Sequence, residues 1–160
     1  MNSVAMNQPV DKAMDSNADD GEYLAMMEKV KGTNIDEKTM LATDYLNHFN
    51  EIVMLLEMIP DMPDMLDEVK AWQPKSYQDH FRDSTIAEKD LAIEVYDHVL
   101  PIYREPFEQT VEQINSMIAS TIQLLEQNIS DGKSDVLRAN VENLSRLIQR
   151  LMDMASAIFH

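Results

Sequence analysis

Two histidines in this 160-residue chain sit at spacings that could support chemistry. Asp44, His48 and Glu51 fall at i, i+4 and i+7, so a helix would project all three into one narrow sector. Two carboxylates and an imidazole can bind a divalent metal ion. Glu94 and His98, again at i and i+4, have Asp97 beside them. Two helices could therefore face one another with a metal set of Asp44, His48, Glu94 and His98.

Di-iron carboxylate bundles use Glu-x-x-His motifs on two of their helices, and this sequence contains none. Metal binding is accordingly the alternative reading. A histidine on a bundle helix could also accept a phosphoryl group, as in histidine phosphotransfer modules, which resemble this chain only in length and helicity. His48 is followed by Phe49-Asn50-Glu51 and His98 by Val99-Leu100-Pro101, with no adjacent cation to hold a phosphoryl group. His80, beside Asp79 and Arg82, and the terminal His160 are expected to be solvated. Gly21, Gly32 and Gly132 are isolated, so no phosphate-cradling loop exists, and no serine stands in a nucleophile elbow. Paired carboxylates are too common in so acidic a chain to mark acid/base catalysis. The expectation is a non-enzyme without a cofactor.

The acidity itself excludes further classes. With 29 acidic and 13 basic side chains the formal charge is −16. Lysines and arginines are scattered singly from Lys12 to Arg150, so neither nucleic acid nor a membrane surface is an expected partner. The run Ile52 to Leu56 is far shorter than the roughly 20 apolar residues of a membrane-spanning helix. Cysteine is absent, which removes disulfides and thiolate metal sites. The first twenty residues lack an apolar signal segment, and the expected location is the cytosol.

The elements that must position these residues are all helical. Residues 1–20 mix polar and acidic types without period and are expected to form a disordered acidic tail, leaving 21–160 as one helical-bundle domain. A short helix is predicted from Asp20 to Lys31, with Tyr23, Leu24, Met27 and Val30 inward and Gly32 as its stop. Leu41, Tyr45, Phe49, Ile52, Leu56 and Ile59 recur at steps of three and four and predict a helix over 36–59, ended by Pro60 and Pro63. A short helix to Trp72 follows, with Met65, Leu66, Val69 and Trp72 inside, and Ser76 could open one further turn. Thr85 and Glu88 have the spacing of a capping box, predicting a helix start near Thr85. Pro101 should break that helix, and Pro106 suits the first turn of the next.

That next helix and the last form an antiparallel hairpin over 105–159, turned by the Gly132 linker. Leu137, Val141, Leu144, Ile148, Leu151, Ala155 and Ile158 make a seam of heptad spacing, with Leu144, Ile148 and Leu151 expected to hold the bundle or a homodimer together. Arg138, Glu142, Arg146 and Arg150 lie on its outer face. The fold class is all-α: a four- or five-helix bundle with a long C-terminal hairpin and a disordered N-terminal tail.

Methionine use points to function. There are 13, and Met26, Met27, Met40, Met54, Met58, Met62 and Met65 all fall in the first 65 positions. Flexible, polarizable thioethers suit adaptable binding surfaces. Met40, Met54 and Met58 are expected to project away from the stripe of Tyr45 and Leu56. One core cannot cover both sides. Residues 1–100 carry 21 acidic and 8 basic side chains, against 8 and 5 for residues 101–160. The reading is a cytosolic regulator, adaptor or chaperone-like protein that uses Met54, Leu55, Met58, Met62 and Met65 to hold a protein partner with a basic surface.

Overall fold

The computed structural model describes residues 19–159, with side chains from residue 21. The tail predicted for 1–20 therefore lies outside the described residues, apart from Asp19 and Asp20, which open the first helix. Seven α-helices and no strand occur among the described residues: α1 (Asp19–Val30), α2 (Asn47–Met58), α3 (Leu66–Ala71), α4 (Tyr77–Arg82), α5 (Lys89–Tyr96), α6 (Pro101–Ser130) and α7 (Ser134–Phe159). The all-α class holds, while prolines and local turns cut the first hundred residues into more and shorter pieces than the apolar spacing suggested.

Four helices close a ring. α7 lies between α6 and α2, while α3 touches both α2 and α6. At the other end α4 and α5 pack together, with α1 against α5. The predicted stripe Leu41, Tyr45, Phe49, Ile52, Leu56 and Ile59 is buried throughout. Its helix nevertheless starts eleven residues later than the 36 boundary, at Asn47. Asp36 is the reason: its Oδ1 accepts the N–H groups of Lys38 and Thr39 at 2.8 and 2.9 Å, and this turn competes with the helix. The turn passes through Met40 at φ 62°. Met40 is buried, which corrects the expectation that it projects outward. The hydroxyl of Thr39 donates to the Phe159 carbonyl at 3.1 Å, tying this turn to the end of α7.

Other boundaries move for similar reasons. Ser76 caps α4, its Oγ accepting the Asp79 N–H at 3.1 Å, as its spacing predicted. Thr85 opens no helix, because Ser84 Oγ takes the Ile86 N–H at 2.9 Å and α5 begins only at Lys89. Pro101 breaks the chain as expected and itself opens α6, which leaves Pro106 inside the helix rather than at its start. In α1 the inward residues are Tyr23, Met26, Met27 and Val30, and Leu24 is exposed.

The hairpin turn closes with Gly132 at φ 67°, where the N–H of Lys133 reaches the Asn128 carbonyl and that of Gly132 the Ile129 carbonyl, both at 3.1 Å. This pair of bonds satisfies the last carbonyls of α6. In α7 the buried line is Leu137, Val141, Ser145, Ile148, Met152, Ala155 and Phe159. It advances at the 3.6-residue period of a straight helix, so the heptad seam drifts off it. Ile148 is fully buried within the chain's own bundle, while Leu144 and Leu151 are half-buried at the seam's edge.

Candidate functional site

α2 buries one side and offers the other to solvent. Ile52, Val53, Leu56 and Ile59 face the core, whereas Met54 is 65% exposed and Met58 41%. Pro60 ends the regular helix without ending its direction: the Met62 N–H still bonds the carbonyls of Met58 and Ile59 at 3.0 and 3.2 Å. Met62, 50% exposed, therefore continues the line begun by Met54 and Met58 at steps of four. The Met65 N–H then bonds the Met62 carbonyl at 2.9 Å and starts the turn leading into α3. Leu55 and Met65 are half-buried, packed on the core and bordering the stripe. Of the five predicted contact residues, three are open thioethers and two form their footing.

Charge frames the stripe. From Thr39 to Val69 the sequence holds no lysine or arginine, while Glu51, Glu57, Asp61, Asp64, Asp67 and Glu68 lie on α2, the turn and α3. All six are exposed. Asp61 pairs with Arg138 of α7 at 2.8 Å, Lys70 interacts with Asp67, and Glu57 lines a groove with Arg138 and Arg146. An apolar strip among mostly acidic neighbours attracts a surface that is apolar at its centre and positive at its edge.

The histidine sets do not assemble as a metal site. His48 is buried, and its Nε2 accepts the backbone N–H of Lys75 at 2.9 Å. That bond uses the lone pair a metal would need. Its ring stacks on Trp72, with centroids 4.6 Å apart. Burial pushes the imidazole down to about 4, helped by neighbouring His80 and Lys75. His80 is half-buried rather than solvated, and burial lowers it too, with Lys75 adding to the effect. Glu94 is engaged with Lys29 at 3.6 Å on α1. Among the described residues no group of three or more potential ligands is gathered, so Asp44, His48, Glu94 and His98 do not form one site. His160 lies outside the described residues.

What the histidines build instead is a brace missed in the sequence. Tyr45 O–H donates to the Lys75 carbonyl at 2.6 Å, so Tyr45 and His48 hold both backbone polar groups of one linker residue. The signal was present, since Tyr45 and His48 stand three apart on the inner face, but their partner is distant in sequence.

No protein-family model, curated protein or solved structure matches the chain, and its function is read from its own geometry. Among the described residues no helix is long and apolar enough to cross a membrane.

Proposed function

We propose that this is a non-catalytic cytosolic interaction module, a regulator, adaptor or chaperone-like protein, that holds a partner's amphipathic, basic helix along Met54, Met58 and Met62. The observation carrying this reading is the exposure of three thioethers in line, bordered by Leu55 and Met65, in a stretch from Thr39 to Val69 that holds six exposed acids around them and no lysine or arginine of its own. A helix laid along the stripe would bury its own apolar face there, and its lysines or arginines would meet Glu51, Glu57 and Asp64. Thioethers adapt to different side-chain shapes, which suits a holder of more than one sequence.

The test is titration with a synthetic Lys/Leu amphipathic helix, alongside a control of equal charge whose leucines are scattered around the helix. The amphipathic peptide should bind and the control should not, with affinity falling as salt rises. Met58→Asp should weaken binding by about tenfold or more while leaving helicity unchanged, because Met58 lies on the solvent side of α2 at 41% exposure. Equal binding of both peptides would reduce the site to nonspecific charge attraction, and unchanged binding by Met58→Asp would remove the stripe from the interaction.

A further inference from the structure

Exposure separates the methionines of this chain. Met54, Met58 and Met62 are exposed at steps of four, whereas Met26, Met40 and Met152 are less than a tenth exposed. Met27, Met65 and Met117 are half-buried against the core. Among the described residues only Met154, on α7, matches the three of the stripe in exposure. A thioether sulfur takes up one oxygen atom from a two-electron oxidant, and methionine sulfoxide reductases return it. The chain has no cysteine, so no thiol of its own competes for that oxidant. The mostly acidic neighbours of the stripe, Glu51, Glu57, Asp61, Asp64, Asp67 and Glu68, repel anionic oxidants but leave neutral hydrogen peroxide unhindered.

We propose that Met54, Met58 and Met62 form a reversible modification site whose substrate is hydrogen peroxide and whose oxidation releases the partner from the stripe. This regulation rests on the stripe being the partner-binding surface. In each step the sulfur lone pair attacks one peroxide oxygen, the O–O bond breaks and an S–O bond forms. The departing hydroxide takes the proton left on the transferred oxygen and leaves as water, so sulfur is oxidised by two electrons and peroxide is reduced. A dithiol-dependent methionine sulfoxide reductase restores the thioether, its two thiols becoming a disulfide while the oxygen leaves as water. The sulfoxide is polar and accepts hydrogen bonds. Pressed against a partner's apolar face it meets no donor, and burying it unpaired weakens the complex. Steps of four place the three sulfurs on consecutive turns of one side, so a helix laid along them meets all three. The fold itself has little at stake, because these side chains are exposed while the core thioethers of Met26, Met40 and Met152 are shielded.

The test treats the full chain briefly with hydrogen peroxide, then maps the added oxygen by mass spectrometry of its peptides. Met54, Met58 and Met62 should be oxidised while Met26, Met40 and Met152 remain thioethers. The treated protein should bind the Lys/Leu amphipathic helix about tenfold or more weakly with an unchanged circular dichroism spectrum, and reductases for both sulfoxide epimers should restore the affinity. Met54→Leu, Met58→Leu and Met62→Leu combined keep the stripe apolar. That variant should bind the peptide and hold its affinity through the same treatment, although every other methionine remains in it. Oxidation spread evenly over exposed and buried methionines overturns the site. So does a leucine variant that loses its affinity on treatment, since the effect would then arise elsewhere. Binding by the parent that survives oxidation of the stripe removes the switch and leaves the proposed function standing. A parent that binds no amphipathic peptide before treatment removes the proposed function and the switch with it.

Discussion

His48 shows how a residue type can announce chemistry and serve architecture. Its spacing from Asp44 and Glu51 was legible; its commitment to the Lys75 N–H was not, because that partner stands 27 positions away, beyond the rest of α2 and all of α3. Only a neutral imidazole can accept this bond. The folded state therefore resists protonation at His48, while the unfolded chain takes up a proton near 6.5. Stability is complete above that value and is lost as pH falls toward about 4, since the unfolded state binds more protons throughout that interval. Allowing for solvent screening, the loss at His48 is about 1–2 kcal/mol. Urea unfolding between pH 7 and pH ~4.5 should show it, and His48→Gln, which keeps an acceptor but does not titrate, should flatten that part of the profile. A profile unchanged by His48→Gln would mean that other groups set the acid response. At the same scale, Met54→Asp should leave the unfolding free energy within about 0.5 kcal/mol of the parent, because the side chain already faces water.

At the scale of elements, apolar spacing located buried faces better than it located helix ends. Leu41 and Tyr45 are buried although neither belongs to α2, because the turn and short 3₁₀ segment preceding it keep them facing the same core. Ends depend on single polar bonds, such as those of Asp36 and Ser84, whose strength relative to a helix start cannot be read from period alone. Glycine was the dependable exception. Gly32 and Gly132 both adopt positive φ where a helix was expected to stop. Nothing lies within 4 Å of a Cβ built on Gly132, so Gly132→Ala tests backbone strain alone. It should cost about 1 kcal/mol and lower the melting temperature by roughly 2–4 °C. Gly132→Asn should cost less, since asparagine tolerates the left-handed region. Equal melting temperatures for parent and alanine variant would show the turn relaxing without its cap. The seam of α7 illustrates the converse: Leu144 and Leu151 matched a seven-residue repeat, but a helix packed between two others buries a wider face, which also takes in Ser145 and Met152.

For the whole molecule, the uneven charge noted in the sequence sets a thioether strip among acids on α2, while residues 113–125 of α6 carry no charged side chain. The sequence showed the imbalance; it could not show that Met40 turns inward while Met62 stays in line with Met54 and Met58, because both depend on turns outside regular helix. The far end of α7 joins the aromatic core, with Phe159 fully buried and its ring 5.2 Å from that of Phe107. Phe159→Ala should cost about 3–5 kcal/mol, measured as a lower urea midpoint, and a loss below ~1 kcal/mol would show that this end frays without consequence.

The bond from Thr39 to the Phe159 carbonyl spans 120 positions, and α7 is also one wall of the compartment that encloses α2. During vectorial synthesis, Ile52, Leu56 and Ile59 leave the ribosome long before the residues that will cover them are translated. The nascent polypeptide carries this greasy segment without its α7 cover until that helix emerges, so this wall of the core closes late.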